Sequence, residues 1–151
     1  MDGSGNVIGT GFFSGTVDFD PGAGTTDMAS LFENVFITKL NSAGDFVWAR
    51  ALRGNSTFRS LSITAGMDNS VYTTGYFQGT IDMDPGEEEA NLTTTGVTEI
   101  FVSRLDANGG YVWGKRLGGS GFDQGEDVAV DSNDDVFVAG SFQLTADFDP
   151  G

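Results

Sequence analysis

The chain has 151 residues, 38% of them hydrophobic, with no cysteine, no histidine and a formal net charge of −15. Only 7 basic side chains face 22 acidic ones, so a phosphate-binding stripe is excluded and nucleic acid is not an expected partner. The missing cysteine and histidine exclude disulfides, Ser–His triads and the usual zinc and copper sites, and we expect no membrane insertion because no apolar run approaches roughly 20 residues.

A glycine-rich segment with two closely spaced aspartates recurs three times. GFFSGTVDFDPG begins at Gly11, GYFQGTIDMDPG at Gly75 and GSFQLTADFDPG at Gly140, at offsets of 64 and then 65 residues. A fixed period of this length is the signature of a repeat architecture. The predicted units are a blade-like repeat 1 at residues 1–65, a blade-like repeat 2 at residues 66–130 and a partial repeat 3 at residues 131–151.

The first two units contain matching β-hairpins. Phe36–Leu40 and Phe46–Leu52 are predicted strands in repeat 1, and their counterparts in repeat 2 are Phe101–Leu105 and Tyr111–Leu117. The second pair flanks Asp106–Gly110, whose two glycines supply the positive φ angles of a tight turn. No window has the 3.6-residue period of an amphipathic helix, so the sequence predicts an all-β fold.

A further hairpin is predicted near the end of the chain. Asp127–Val130 and Val136–Phe142 are apolar strands, and the residues between them, Asp131–Asp135, tolerate a left-handed backbone. Four strands and about 65 residues per unit are typical of a β-propeller blade. We therefore predict blades of four antiparallel strands.

The order of these blocks resembles the bacterial β-propeller repeat family labelled SBBP. The resemblance rests on DVAVDSNDDVFVAG (Asp127–Gly140), IFVSRLDANGGYVWGKRL (Ile100–Leu117) and LGGSGFDQGEDVAV (Leu117–Val130), and it covers essentially the whole chain. The repeat is longer than is usual because it carries the DFDPG element and the loop after it. The resemblance implies four-stranded blades, large exported or surface-attached bacterial proteins, and no shared catalytic residues.

Two repeats and a fragment cannot close a propeller, which typically takes 4 to 8 blades. We expect an incomplete ring and a piece of a longer repetitive chain. A ring of three copies is the alternative, but residues 131–151 duplicate residues 2–22, so one chain's end does not lead into the next chain's start.

Paired aspartates are the candidate metal ligands. The pairs, each spaced i, i+2 and followed by Pro-Gly, are Asp18 and Asp20, Asp82 and Asp84, and Asp147 and Asp149. Along an extended strand both carboxylates of a pair would share one face, where a cation offsets their repulsion, and calcium prefers such oxygen ligands. The alternative is that they accept hydrogen bonds from turn amides. Three copies argue against a catalytic pair, which is normally unique.

Aromatic side chains recur with the same period. Trp48 and Trp113 follow Phe46 and Tyr111 by two residues, so each pair shares one strand face. We predict that they pack between blades, with stacking on a sugar ring as the alternative. The same core position is predicted for the recurring phenylalanines Phe13, Phe77 and Phe142.

The sequence thus predicts a non-enzymatic structural or adhesive segment of a secreted or cell-surface bacterial β-propeller repeat protein, with calcium as the candidate cofactor. Expected partners are other blades of the same longer chain or another protein chain. The alternative function is a carbohydrate-binding propeller with a glycan ligand.

Overall fold

The computed structural model describes residues 1–149 and contains strands, turns and loops. The strands are β1 (Val7–Asp18), β2 (Asp27–Leu40), β3 (Phe46–Gly54), β4 (Phe58–Ala65), β5 (Val71–Phe77), β6 (Thr80–Asp82), β7 (Asn91–Thr93), β8 (Glu99–Leu105), β9 (Tyr111–Gly119), β10 (Gln124–Val130), β11 (Val136–Ser141) and β12 (Ala146–Asp147). The all-β prediction is confirmed. Pro150 and Gly151, which end the third DFDPG segment, lie outside the described residues.

The strands form three antiparallel sheets that do not close into a ring. The first has the order β1-β2-β3-β6-β7, the second β4-β5-β8-β9-β12, and the third contains β10 and β11. In the second sheet β4, β5, β8 and β9 are the four antiparallel strands predicted for a blade. Both five-stranded sheets also contain a short strand from the repeat that follows, which the sequence did not predict.

The predicted hairpins are present with their turns. β2 pairs with β3, β8 with β9 and β10 with β11. The repeat period makes β1, β5 and β11 equivalent. It also makes β4 and β10 equivalent, and we call these two the inner strands. The inner strand β4 pairs with β5, although it precedes residue 66, where the second sequence unit was predicted to begin.

The core lies between the first two sheets. Its buried members are Val35, Ile37, Trp48, Leu52, Phe58, Val71, Phe77, Ile81, Met83, Phe101 and Leu105. Phe58 is central, because its ring meets Phe101 edge-on at a centroid distance of 4.9 Å and Phe77 at 6.4 Å. No helix among residues 1–149 is long and apolar enough to cross a membrane.

The core prediction is wrong for one of the recurring phenylalanines. Phe13 and Phe77 are buried, but Phe142 is 55% exposed. Phe142 follows β11, which within residues 1–149 pairs only with β10, so no further strand covers the ring. Its contact is instead with Phe148, edge-on at 5.2 Å, as Phe13 contacts Phe19 at 5.3 Å.

Candidate interface between repeats

The first aspartate of each pair closes a turn. Asp82 Oδ1 accepts hydrogen bonds from the backbone N–H groups of Asp84 (3.0 Å) and Ala90 (2.9 Å). Asp18 makes the two equivalent bonds in repeat 1, and Asp147 makes the first of them in repeat 3. These geometries fit the turn-amide alternative, in which a short carboxylate side chain caps its own turn.

The second aspartate of each pair lies beyond the strand. β1, β6 and β12 end at Asp18, Asp82 and Asp147, respectively. The alternation argument for a shared strand face therefore does not extend to the second aspartate, because the strand ends between the two. Asp20 Oδ1 and Asp84 Oδ1 each accept a 2.7 Å bond from the glycine N–H two residues later.

The DFDPG loops also contain the candidate metal ligands. Among residues 1–149, no group of three or more Asp, Glu, His or Cys side chains is placed to hold a metal ion. The backbone N–H groups of Thr26 and Asp20 lower the pKa of Asp18, so this carboxyl is charged at neutral pH. Calcium binding by the DFDPG loops stays a prediction.

The hairpin formed by β6 and β7, which we call the crossing hairpin, leaves its own repeat and joins the sheet of the preceding one. β6 pairs with the end of β3, where Ile81 lies opposite Gly54. Backbone and side chain of Asn55 continue the contact: its N–H donates to Thr80 O (3.2 Å), and its Oδ1 accepts from the Thr80 N–H (3.0 Å). The 1% exposure of Ile81 shows that the junction is sealed.

Glycines at the ends of β3 and β9, which we call the outer strands, allow this close approach. A Cβ atom at Gly54 would lie 2.9 Å from Ile81 Cγ2. The arrangement recurs at the next junction, where β12 pairs with β9 and Ala146 lies opposite Gly119. A Cβ atom at Gly119 would overlap the carbonyl oxygen of Thr145. The shared glycine, Gly54 in Leu-Arg-Gly and Gly119 in Leu-Gly-Gly, thus marks the site where a strand of the next repeat is received.

Side chains of β2 and β3 hold a turn of repeat 2. Lys39 Nζ and Trp48 Nε1 donate to Ala107 O at 3.3 and 3.2 Å. Arg50 Nε donates to Gly109 O at 3.1 Å, and its guanidinium lies 5.5 Å from the Trp48 ring centroid. Trp48 is buried as predicted, and its polar edge is used by the neighbouring repeat.

Trp113, the counterpart of Trp48, is half-buried. Its ring meets Tyr72 at 6.1 Å, and it lines a groove of about 150 Å³ with the apolar side chains of Val102, Leu117 and Val138. This position combines a contact within its own sheet with a groove that β11 also lines.

A buried ion pair lies beside the contact between Lys39 and the Ala107 turn. Lys39 Nζ and Asp2 Oδ2 are 2.7 Å apart, and the two side chains are 6% and 0% exposed. Burial alone would raise the pKa of Asp2, but hydrogen bonds from Lys39, Asn6 and Ser4 outweigh it and bring the pKa well below the usual value. Asp2 is therefore charged, and its charge is compensated within the fold.

A second buried carboxylate lies at the start of β8. Glu99 is fully buried, accepts bonds from the N–H (2.7 Å) and hydroxyl (2.6 Å) of Thr95, and lies 2.5 Å from Arg116 Nη1. Burial acts to raise its pKa, but these bonds and the arginine charge lower it below its usual value. Arg104 Nη2 of repeat 2 lies 2.7 Å from Asp68 Oδ2 of the same repeat and 3.8 Å from Asp134 Oδ2 of repeat 3, so it joins the turns of two repeats.

Acidification is expected to destabilise the protein. The lowered pKa values of Asp2 and Glu99 mean that each group adds stability above its usual pKa and loses that stability as the pH falls through the folded-state value. We expect the free energy of unfolding, measured by urea denaturation between pH 7 and pH 3, to decrease below about pH 4.5, the usual pKa of glutamate. The Asp2→Asn variant should show a shallower decrease, and a flat profile in the wild type would contradict the proposed charge states.

Comparison with known families gives a match over part of the chain. Residues 112–141 match the family model described as Beta-propeller repeat, SBBP. The predicted resemblance is confirmed. The SBBP match runs from β9 through β10 and β11, so it contains the Leu-Gly-Gly signal and the last hairpin, whereas the three DFDPG segments lie outside it.

Two curated relatives extend the similarity beyond these residues. Regulatory protein FlaEY of Caulobacter vibrioides is 30% identical over 107 residues, which cover 71% of this chain and 11% of the relative. An uncharacterized WD repeat-containing protein of Acanthamoeba polyphaga mimivirus is 23% identical over 114 residues, covering 66% and 8%. The chain thus spans about a tenth of the length of the curated relatives it matches. With the internal period and the SBBP match, these similarities show a repeat protein.

Sequence analysis missed the cations of the interface. Lys39 and Arg50 were not singled out, although Arg104 and Lys115 follow them by 65 residues in the repeated strand pair. A basic residue recurring on an otherwise apolar, buried strand was the available signal, because such a residue requires a partner.

Proposed function

We propose that this chain is a non-enzymatic structural and adhesive segment of a secreted or cell-surface bacterial β-propeller repeat protein. The observation that carries the proposal is the crossing hairpin. Each junction among residues 1–149 adds a strand of one repeat to the sheet of the repeat before it. Such backbone pairing supports a role in building an extended protein surface, with other blades or another protein chain as partners.

Charge and composition support the surface location. The net charge of −15 and the exposed loop Glu87–Glu89 keep copies of such a segment apart in solution. The names of the two relatives, a regulatory protein and a WD repeat-containing protein, support protein contacts over catalysis.

Two cellular measurements test this role. Protease treatment of intact cells is expected to remove this segment from the full-length protein while sparing a cytoplasmic control protein. An in-frame deletion of the segment is expected to reduce attachment of the cells to their substratum. A segment that resists protease until the cells are lysed would contradict the surface location, and unchanged attachment would contradict the adhesive role.

The structural part of the proposal is tested by shortening the side chain that seals the junction. Ile81→Ala should lower the free energy of unfolding by about 2 to 3 kcal/mol, because a buried side chain leaves a cavity between two repeats. Val17→Ala is the matched control, since Val17 occupies the same hairpin position in repeat 1 but faces no outer strand within residues 1–149. Its expected loss in urea denaturation is under about 1 kcal/mol, and equal losses would show that the junction adds no stability.

Calcium is the proposed cofactor of the DFDPG loops. Carboxylates and loop carbonyls are the ligands that calcium prefers. We expect isothermal titration to give heat at about one site per loop, and the melting temperature to fall when a chelator is added. Asp84→Asn should weaken the binding. Absence of heat together with an unchanged melt would leave the aspartates as turn acceptors only.

A further inference from the structure

We propose that the Arg104 cluster, which consists of Asp68, Tyr72, Arg104 and Asp134, binds an ordered water molecule that bridges repeats 2 and 3. Asp68, Tyr72 and Arg104 belong to repeat 2, and Asp134 lies in the turn between β10 and β11 of repeat 3. The site lies inside the fold, so it is independent of the adhesive and surface roles proposed for the chain.

Buried polar atoms that lack a protein partner are concentrated in this cluster. Among residues 1–149 there are four side-chain atoms of this kind, and three of them are Tyr72 OH, Arg104 Nε and Asp134 Oδ1. Tyr72 is fully buried, so its hydroxyl does not reach bulk water. Buried polar groups in folded proteins are nearly always hydrogen-bonded, either to protein atoms or to an ordered water. Three such atoms in one cluster therefore point to a shared partner.

The Arg104 cluster is compact. Tyr72 lies opposite Arg104 in the β5–β8 pairing, and the guanidinium carbon lies 5.4 Å from the Tyr72 ring centroid. Arg104 Nη2 lies 2.7 Å from Asp68 Oδ2 and 3.8 Å from Asp134 Oδ2. Because the N–H groups of a guanidinium form a rigid planar fork in which Nε–H and Nη2 share one edge, Nε–H is directed to the side of these two carboxylates.

Gly66 lets the second carboxylate and the tyrosine ring approach each other. A Cβ atom at Gly66 would lie 3.0 Å from Asp134 Oδ1, 3.0 Å from Tyr72 Cε2 and 3.2 Å from Asp68 Oδ1. Tyr72 Cε2 is bonded to the carbon that carries the hydroxyl group. The unpartnered oxygen of Asp134 and the hydroxyl end of Tyr72 therefore lie around the same point of the backbone.

The hydrogen-bonding groups of the cluster favour a neutral molecule that both donates and accepts. Arg104 Nε–H is only a donor, the carboxylate oxygen of Asp134 is only an acceptor, and a tyrosine hydroxyl can act as either. Burial raises the pKa of Tyr72; Arg104 opposes this increase, and the charges of Asp134 and Asp68 add to it, so the hydroxyl keeps its proton at neutral pH. A water that accepts from Arg104 and Tyr72 and donates to Asp134 makes about the three bonds that are typical of buried water.

Ions fit the cluster less well than water does. An anion would be repelled by the carboxylates of Asp68 and Asp134, and a metal ion would be repelled by the guanidinium of Arg104. In the described part of the chain, no group of three or more Asp, Glu, His or Cys side chains is placed to hold a metal ion. The mixed charges of the cluster thus select a neutral ligand.

The preceding junction satisfies the same positions directly. The repeat period relates Arg104, Tyr72 and Gly66 to Lys39, Ile8 and Asp2, respectively. Lys39 Nζ contacts the Asp2 carboxylate at 2.7 Å, and the apolar side chain of Ile8 requires no polar partner. In repeat 2 a glycine replaces that aspartate, while the arginine and the tyrosine bring additional polar atoms. The water therefore compensates for substitutions between the repeats.

NMR spectroscopy of the full chain with isotope-labelled arginine tests the site directly. We expect a cross peak between Arg104 Hε and water that has opposite signs in NOESY and ROESY spectra, as a long-lived bound water gives. Hydrogen exchange with bulk water gives equal signs, and this is the result expected for the control, Arg53, which is exposed. Equal signs at Arg104, or no cross peak with water, would overturn the proposal.

A second measurement tests the energetic role of the hydroxyl. Tyr72→Phe removes only this group, so urea denaturation should give an unfolding equilibrium constant roughly five- to tenfold larger than that of the wild type. In the Asp134→Ala background the same change should have a smaller effect, because the shared water is already lost. A neutral or stabilising Tyr72→Phe would reject the bridge. A destabilising one without the Arg104 cross peak would show a direct bond between Tyr72 and Asp134 in place of the water.

Discussion

Replacing Phe58 with alanine is expected to lower the free energy of unfolding by about 3 to 5 kcal/mol. Phe58 begins β4, is fully buried and packs edge-on against Phe101 and Phe77. Removing the ring forfeits its transfer from water and leaves a cavity that backbone pairing between β4 and β5 prevents from closing. Urea denaturation of the wild type and the variant, followed by tryptophan fluorescence, measures the loss.

Phe122 supplies the matched control. It lies two residues before the inner strand β10, next to Asp123, the counterpart of Phe58, and it is 56% exposed. Phe122→Ala should cost under about 1 kcal/mol, since little of its surface leaves water on folding. Similar losses at both positions would mean that Phe58 does not organise the core between the sheets.

Replacing Lys39 with methionine is expected to cost about 3 to 5 kcal/mol. The variant keeps the apolar length of the side chain but leaves the carboxylate of Asp2 buried without its cation, and the carbonyl of Ala107 loses a donor. The double variant Asp2→Asn, Lys39→Met should recover much of this stability, because the buried charge is then gone. A double-mutant cycle in urea gives the coupling energy directly.

An ion pair that is about one-third exposed provides the contrast. Arg59 and Glu33 are 2.7 Å apart, but their side chains are 34% and 33% exposed. Arg59→Met should therefore cost about 1 kcal/mol or less, because water and salt screen such a pair. If the exposed pair were worth as much as the buried one, burial would not be the source of the effect at Lys39.

Local signals predicted the local structure well. The three predicted hairpins, such as β8 and β9 around Asp106–Gly110, are where their turn residues predicted them. The crossing hairpin was not predicted, because β6 pairs with β3, and the apolar pattern of a three-residue strand does not say which sheet it joins. The sequence signals for this pairing are Gly54 and Gly119, whose missing side chains leave room for the strand of the next repeat.

The aspartate pairs show a different limit. Alternation gave the right face for residues inside a strand, but it requires knowing where the strand ends. β6 ends at Asp82, so the rule did not apply to Asp84. The predicted burial of Phe142 was wrong for a related reason. Phe142 has the same residue type as Phe77, but its burial depends on a neighbouring strand that β11 lacks within residues 1–149.

The crossing hairpin bears on how such a protein changes length. Because each five-stranded sheet takes its last pairing from the repeat that follows, both junctions among residues 1–149 pair equivalent positions of the repeat. Duplication or loss of one whole unit of 64 or 65 residues therefore brings a matching donor to a matching acceptor. Gene segments of whole units can be gained or lost in frame without creating a mismatched junction, whereas a change by a fraction of a unit separates a donor from its acceptor.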